Sequence, residues 1–339
     1  MHPDNVTAGI LAVSDRAQIV KRTSVAPFTL ILLCSLISWA SSTSAQFIPG
    51  LAPTELENLG DGLYAFRAGG YRNIFLVTSE GVIVTDPLSS DKAKILREQI
   101  FTITDQPVKF VAYSHSHWDH VSGGQIFKDE GAKVVAQERC ATNIKETPHP
   151  DVVPPDITFK EKYSIKLGDH SLDMHYFGPS HDDCMVVMIA KPANMLFVVD
   201  IGSVPKGWFM EYNPTMPDDN LHNMPQFLRA TEALMAREGV ETVVSGHLAL
   251  DIGDDGSMIP AASTGPAKAI GDKALFWEML FAFVRDEMER GASVYEAPDR
   301  ILADKQFQNE FVDKIRSGFE PDEMWILLRR VASYIETGR

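Results

Sequence analysis

The sequence predicts an α/β protein that carries a helical C-terminal extension. Hydrophobic residues make up 45% of the 339 residues and charged residues 23%, which is typical of a globular protein with a large core. Strand-like and helix-like segments alternate through the middle of the chain, as they do in α/β proteins. In the last part of the chain, apolar residues recur mainly at helical spacing.

The first half of the core begins with β-rich segments separated by turn residues. They predict an antiparallel meander at residues 63–67, 74–78 and 81–86. Helical spacing follows at residues 92–103, and then an apolar strand at 108–113. A second helix and strand are predicted at residues 123–131 and 133–136. Helices and strands therefore alternate from residue 92 onward.

The second half of the core has five more predicted strands, at residues 163–167, 172–177, 185–189, 195–199 and 242–245. Residues 225–238 have helical spacing and stop at Gly239, a residue that commonly follows a helix. Residues 253–265 predict a loop, and Pro298 and Pro321 interrupt the helix-rich remainder. We therefore divide the chain into three parts: a signal peptide at 1–45, a core domain at 46–252 and a helical C-terminal extension at 253–339.

The N-terminal region has the features of a secretory signal peptide. Lys21 and Arg22 precede an apolar run at residues 27–40, and small residues at 41–45 provide a cleavage site near Ala45. The apolar run is short for a membrane-spanning helix, so an uncleaved anchor is the weaker interpretation. We expect a periplasmic or secreted protein without stable membrane insertion after cleavage.

The acidic net charge indicates which kinds of molecule the protein can bind. Lys and Arg total 31 against 46 Asp and Glu, giving a formal charge of −15, which disfavours nucleic acid because phosphates need clustered cations. We expect a small-molecule substrate instead. In the C-terminal extension, the spacing of four residues favours core packing or a homodimer face over ligand contact: Phe276, Trp277, Leu280 and Phe281.

Two cysteines remain after the signal peptide, which contains Cys34, is removed. Cys140 and Cys184 could pair in an oxidising compartment, but their spacing gives no disulfide framework. Two unpaired, buried thiols are therefore the favoured interpretation.

Four metal-binding residue types follow the strand predicted at 108–113. His115 and His117 are two residues apart, so in an extended backbone both imidazoles point to the same side and can bind one ion. Asp119 and His120 then turn toward a neighbouring position. A single exposed or buried histidine rarely has a function, but four such residues at the end of one strand indicate a metal site.

This stretch resembles the HxHxDH motif of the metallo-β-lactamase superfamily. The similarity continues in order through His181 after a strand and turn, Asp200 after an apolar strand and His247 after the last core strand. It covers residues 63–250 and implies an αββα sandwich at 46–252. The helical extension is not covered to the same degree.

The resemblance also implies a site for two ions. His115, His117 and His181 would hold the first ion. Asp119, His120 and His247 would hold the second, and Asp200 would bridge both. Imidazole and carboxylate ligands suit two Zn²⁺ per chain, although iron or manganese also fits this ligand set. The implied reaction is attack by a metal-bound hydroxide, which Asp119 orients as the catalytic residue.

A metal-dependent hydrolase of β-lactams, lactones, esters or thioesters is the favoured function. Hydrolysis of phosphoesters or alkyl sulfates on the same two-ion site is an alternative, and a non-catalytic periplasmic metal-binding protein is another. Two features leave specificity open. Asp182, Asp183 and Cys184 replace the family's usual residues after His181, and the aromatic loop at 202–220 either closes over a substrate or anchors itself to the core.

Overall fold

Two β-sheets carry the core of the protein, and each has its own layer of helices. The computed structural model describes residues 52–201, 220–252, 258–309 and 321–338. The predicted signal peptide lies outside these ranges, as does nearly all of the predicted loop at 202–220. Two sheets with helices confirm the predicted α/β class.

The first sheet has seven strands in sequential order. They are β1 (Thr54–Gly60), β2 (Leu63–Ala68), β3 (Tyr71–Thr78), β4 (Gly81–Thr85), β5 (Val108–Ala112), β6 (Lys133–Gln137) and β7 (Ile157–Phe159). Strands β1 to β4 pair antiparallel, which confirms the predicted meander. Strands β4 to β7 pair parallel, since helices connect them.

Helices cover one face of this sheet. They are α1 (Ser90–Phe101), α2 (Trp118–Val121), α3 (Gln125–Asp129) and α4 (Glu138–Glu146). In α1, the buried residues Ala93, Leu96 and Ile100 share one side of the helix and pack against Val82 and Val84 of β4. The three- and four-residue spacing of these side chains produces that apolar stripe.

The second sheet has the strand order β15-β12-β11-β10-β9-β8. Its strands are β8 (Lys162–Leu167), β9 (His170–Tyr176), β10 (Val186–Lys191), β11 (Met195–Val198), β12 (Thr242–Ser245) and β15 (Thr264–Pro266). Strands β13 (Leu250–Ile252) and β14 (Met258–Pro260) form a separate antiparallel pair. Among the described strands of the second sheet, β11 and β12 pair in parallel and all other neighbours pair antiparallel.

Alternating side chains of β10 show how the sandwich is built. Val186 and Met188 belong to the apolar cluster between the sheets, which also contains Leu63 and Ile83 of the first sheet. Val187 and Ile189 belong instead to the cluster under the second helical layer. Because successive strand residues point to opposite faces, one apolar run contributes to two core layers. The predicted αββα sandwich is confirmed.

The second helical layer consists of α5 (Met224–Glu238), α6 (Lys268–Glu289), α7 (Ala297–Ala303), α8 (Lys305–Phe307) and α9 (Pro321–Thr337), with a 3₁₀ turn at Leu221–Asn223. Gly239 follows the last residue of α5 and caps it with a left-handed φ of 66°, a conformation that suits glycine, as predicted. Phe276, Trp277 and Leu280 are buried in the chain's own core, so core packing is their observed role. A homodimer through these helices stays a prediction.

The segment after residue 252 is continuous with the rest of this half of the molecule. Strand β15 pairs with β12, and α6 shares one apolar cluster with α5 and with β10 to β12. The division at residues 252 and 253 stays a prediction. In the described ranges, each helix is too short or too polar to cross a membrane.

Candidate metal centre

The seven predicted ligands follow strands that run in the same direction within each sheet. His115, His117, Asp119 and His120 follow β5. His181, Asp200 and His247 follow β9, β11 and β12, which are co-directional because β10 is antiparallel to both β9 and β11. Parallel strands place their carboxyl ends at one edge, where sites in α/β proteins collect.

The structure brings these seven side chains together in two groups. His115, His117, His181 and Asp200 form the first group, and Asp119, His120 and His247 form the second. Within each group, the potential ligand atoms lie within 4.8 Å of one another. Apart from Asp200, which the family resemblance placed as a bridge, the two groups match the ligand sets that it implied. That these residues bind metal stays a prediction.

Asp200 belongs to the first group and also contacts the second. Its Oδ2 is 3.1 Å from His115 Nε2, 3.3 Å from His181 Nε2 and 3.4 Å from His120 Nε2. Its Oδ1 is 2.6 Å from His247 Nε2. The backbone of Asp200 has a positive φ of 59°, an uncommon conformation that aspartate tolerates. One carboxylate therefore contacts imidazoles of both groups, as a bridging ligand requires.

The donor atoms suit metal ions. In the described part of the chain, the buried Nε2 of His115 has no hydrogen-bond partner of acceptable geometry, although it faces Asp200. The other nitrogen of that ring, Nδ1, lies 2.8 Å from Ser114 Oγ, the kind of contact that orients a metal-binding imidazole. His120 Nε2 and His247 Nε2 face each other at 3.1 Å. Converging imidazole nitrogens and carboxylates are a donor set for Zn²⁺ and similar ions.

Burial and charge favour the metal-binding protonation states. Burial lowers the pKa of His115 to about 4, although Asp200 acts in the opposite direction, so the imidazole is neutral near pH 7. Burial raises the pKa of Asp200, but His120 and His247 outweigh burial and hold it well below the usual range. For Asp119, His120 and His115 likewise outweigh burial and lower the pKa.

Asp182 fixes the position of the histidine-rich loop, residues 114–120, relative to His181. Its Oδ2 accepts hydrogen bonds from Ser116 N at 2.8 Å and Ser116 Oγ at 2.5 Å, and its Oδ1 accepts one from Cys184 N at 2.9 Å. Burial raises the pKa of Asp182, but His115 and these hydrogen bonds lower it to about 2. The sequence showed only that Asp182 departs from the family pattern.

Asp86 supports the same loop from the end of β4. Its Oδ1 accepts a hydrogen bond from Ser114 N at 2.8 Å. Burial raises its pKa to about 6, although His120 lowers it. Sequence reasoning missed this residue, and its only signal is an aspartate directly after a buried strand.

Arg72 fixes the last of the seven residues. The buried guanidinium donates hydrogen bonds from Nη1 to Ser245 O at 3.0 Å and to His247 O at 2.8 Å. Residue 72 also donates its backbone N–H to Gly246 O at 2.7 Å. Arg72 therefore ties the first sheet to the loop that carries His247, a contact that the sequence did not indicate.

The expectation of two unpaired thiols is wrong. Cys140 of α4 and Cys184 after His181 form a disulfide across 44 residues of sequence. The pairing arises because α4 packs beside the His181 loop, where Asn143 Nδ2 also donates to Asp183 Oδ1 at 2.7 Å. Sequence spacing does not reveal such spatial proximity. Cys184 is not an available metal ligand.

A cavity of about 730 Å³ opens beside the first group of ligands. Its described lining residues are Ser116, His117, Trp118, Asp119, Asn143, Ile144, Thr147, Asp182, Asp183 and Asn220. Trp118 is 45% exposed, and its ring lies 4.4 Å from that of His149. The cavity is large enough for a drug-sized molecule next to His117 and Asp119.

Two stacked β-sheets with a cluster of histidine and aspartate side chains at one edge define an α/β protein with a candidate metal site. A family model described as the metallo-beta-lactamase superfamily matches residues 67–247, which is more than half of the chain. The chain belongs to the metallo-β-lactamase superfamily, a superfamily of metal-dependent hydrolases. All seven predicted ligands lie inside the matched stretch.

Individual relatives are similar over part of their length. The metallo-beta-lactamase type 2 of Elizabethkingia meningoseptica is 29% identical over 147 residues, which is 40% of this chain and 58% of that protein. A linear primary-alkylsulfatase of Pseudomonas sp. (strain ATCC 19151) is 29% identical over 93 residues, 25% of this chain and 17% of that enzyme. This chain thus matches less than two thirds of either relative.

A solved structure shows the shared fold. The metallo-beta-lactamase from Pontibacter korlensis superposes with a TM-score of 0.54 and 19% identity. The superposition covers 66% of this chain and 99% of that protein. Such low identity shows the fold alone.

Proposed function

We propose that the protein is an exported, two-zinc hydrolase of small carbonyl substrates, with β-lactams, lactones, esters and thioesters as candidates. The convergence of six imidazole and carboxylate side chains around Asp200 carries this proposal. His115, His117 and His181 are the proposed ligands of one ion, and Asp119, His120 and His247 those of the other. Asp200 is their proposed bridge.

Asp119 is placed to act on the water that attacks the substrate. Zinc held here would supply Lewis acidity toward the substrate carbonyl and acidify a water molecule. Asp119 has a depressed pKa and a side chain that is 49% exposed, and it lines the cavity. An ionised carboxylate in this position can accept a hydrogen bond from the attacking water and hold its proton at Oδ. Asp119 is therefore the proposed catalytic residue.

The cavity suits a substrate with both apolar and polar groups. Trp118 and Ile144 offer apolar contacts, and Asn143 and Thr147 offer hydrogen bonds. Pockets with this mixture of apolar and polar side chains are typical of sites for small organic molecules. A small-molecule substrate agrees with the acidic net charge of −15.

The disulfide supports export. Disulfides such as Cys140–Cys184 persist in oxidising compartments and are rare where thiols are kept reduced. Together with the signal-like segment at residues 1–45, the disulfide favours a periplasmic or secreted enzyme.

Metal analysis and a substrate panel test the proposal. We expect about two equivalents of zinc per chain and turnover of at least one of nitrocefin, a lactone, an aryl ester and a thioester. His117→Ala removes a ligand and is expected to lower both zinc content and turnover at least a hundredfold. His222→Ala changes an exposed histidine outside the seven and serves as the control. Zinc-loaded protein that turns over no substrate contradicts the enzyme proposal and favours a metal-binding accessory protein.

Hydrolysis of alkyl sulfates is a second candidate. The similarity to the Pseudomonas alkylsulfatase supports this candidate. The same two ions could stabilise negative charge that develops on sulfate oxygens. Release of sulfate from dodecyl sulfate, without turnover of the carbonyl compounds, would replace the first proposal with the second.

A further inference from the structure

A lysine and a tyrosine lie next to the second group of ligands. The Tyr71 ring is 4.9 Å from the His247 ring and 5.7 Å from the His120 ring, measured between centroids. The Nζ of Lys92 lies 3.8 Å from the centroid of the Tyr71 ring. A single aromatic ring therefore separates a lysine amine from two proposed metal ligands.

Lys92 occupies a position that helix electrostatics disfavours. It is the third residue of α1, and its backbone N–H donates to Ser89 Oγ at the N-terminal cap. The partial positive charge of a helix N-terminus favours Asp or Glu there and opposes a cation. Burial also lowers the pKa of the Lys92 amine, while the Asp119 carboxylate acts in the opposite direction. Stability of α1 alone does not explain a lysine here.

The amine of Lys92 has donors available for a ligand. Across the ranges that the structure describes, Nζ has a contact with the face of Tyr71 but no hydrogen bond or ion pair. Lys94, two residues later on the same helix, pairs with Asp91 at 3.5 Å instead. A lysine ammonium carries three N–H donors, and a cation–π contact occupies the ring face without accepting them all.

The surroundings of Lys92 carry a positive charge, whereas the cavity is lined by negative charges. The described cavity lining carries the carboxylates of Asp119, Asp182 and Asp183 and no Lys or Arg side chain. Asp119 connects the two places, since it lines the cavity and its charge acts on Lys92. A substrate that reaches past Asp119 from the cavity would meet a cation beside an aromatic face.

We propose that Tyr71 and Lys92 form a subsite for a carboxylate group carried by the substrate. The Lys92 ammonium is its ion-pair partner, and the Tyr71 ring forms one wall beside His247. This inference deepens the proposed function and rests on it, because the subsite adjoins the second proposed ion. It narrows the substrate class to carbonyl compounds that bear a separate carboxylate.

Two esters that differ in one terminal charge test the subsite. 4-Nitrophenyl hydrogen adipate carries a carboxylate, and 4-nitrophenyl hexanoate is its neutral counterpart. In zinc-loaded protein, Lys92→Met is expected to raise KM for the adipate ester about tenfold, equivalent to one charge-assisted hydrogen bond, and to leave the hexanoate ester within about twofold. Lys92→Arg should restore most of the affinity, and Lys94→Met is the matched control on the same helix. Equal losses for both esters, or no loss for either, would overturn the subsite.

A binding measurement separates this inference from the proposed function. The probe is the free hexanoate anion, which carries a carboxylate and no ester. Calorimetric titration of zinc-loaded protein with this anion should give a Kd for wild type about tenfold lower than the Kd for Lys92→Met. If no ester is hydrolysed but this difference persists, the subsite stands and carbonyl hydrolysis fails. If esters are hydrolysed but wild type and Lys92→Met bind hexanoate equally, the subsite is wrong and the proposed function stands.

Discussion

The carboxylate of Asp86 supports the metal centre without belonging to the seven residues. It is fully buried, and in the described ranges its Oδ2 has no hydrogen-bond partner. Burial of such a group is unfavourable, which its raised pKa reflects. In return for this unfavourable burial, Asp86 positions a proposed ligand. Its Oδ1 fixes the backbone at Ser114, directly before His115. Such groups orient metal ligands and influence affinity strongly.

Asp86→Ala is therefore expected to weaken zinc binding by about tenfold to a hundredfold, since Ser114 N loses its acceptor. Asp86→Asn keeps an oxygen that can accept this hydrogen bond and should retain most of the affinity. Competition with a chromogenic zinc chelator measures both variants. Affinity in Asp86→Ala equal to that of wild type would show that the loop does not depend on this contact.

Trp118 lies within the metal-binding motif, but its side chain points to the cavity. Because it is 45% exposed, Trp118→Ala should change the free energy of unfolding by less than about 1 kcal/mol. It should raise KM about fivefold for substrates with an apolar group, since one aromatic contact is lost. Steady-state kinetics on substrates with short and long apolar groups measures this. Phe101→Ala, which removes an exposed aromatic ring at the end of α1, is the control. Unchanged KM in Trp118→Ala would exclude Trp118 from the substrate site.

Cys140 and Cys184 join α4 to the loop that carries His181. A disulfide that closes 44 residues restricts the unfolded chain and contributes about 3 to 4 kcal/mol. The Cys140→Ala/Cys184→Ala double variant should therefore lose about this much in the free energy of unfolding. Urea denaturation of zinc-loaded protein measures the difference. A midpoint within error of wild type would mean that the noncovalent contacts of α4 suffice.

Gly123 allows the histidine-rich loop to pack against the start of α1. Its φ is +90°, and a Cβ at this position would overlap the backbone of Ser89 and Ser90. Gly131 has a similar φ of +93° but open space around it. Gly131→Ala should cost about 1 kcal/mol through backbone strain alone, and Gly123→Ala about 3 kcal/mol or more. Equal losses in thermal denaturation would mean that the overlap relaxes without cost.

Site residues that belong to a local sequence motif could be predicted, whereas residues that act through distant contacts could not. His181, Asp200 and His247 were identifiable because each follows an apolar strand and matches a family motif. Asp182 and Arg72 act through hydrogen bonds to the backbone of segments far along the chain, at Ser116 and His247. Local patterns carry no information on such partners, since tertiary packing alone brings them together.

The same limit applies to the larger elements. The alternation of helices and strands predicted the α/β class, because burial on one or both faces dictates the apolar pattern of a strand. The two-sheet sandwich itself was implied by the family resemblance. The disulfide was missed because pairing requires two Cα atoms within about 7 Å, a distance that sequence separation does not give. The C-terminal extension at 253–339 was predicted to be helical, but periodicity does not tell which surface an apolar stripe covers.

The C-terminal helices complete the core of the second half. Trp277 of α6 is 1% exposed and belongs to the cluster that covers Val187, Ile189 and Val198 of the second sheet. These strand residues would face water if α6 and α9 were removed. Stability of the second sheet therefore depends on the segment after residue 267.

Trp277→Ala should accordingly lower the free energy of unfolding by about 3 to 5 kcal/mol, the usual cost of emptying a large buried aromatic site. Leu275→Ala, on the same helix and 40% exposed, should cost less than about 1 kcal/mol. Urea denaturation of zinc-loaded protein compares the two variants.

A chain that ends at residue 267 should fail to fold, because the apolar face of β10 to β12 is uncovered. If that shortened chain gives a cooperative transition and binds zinc, the sandwich is autonomous and the C-terminal helices are an independent addition.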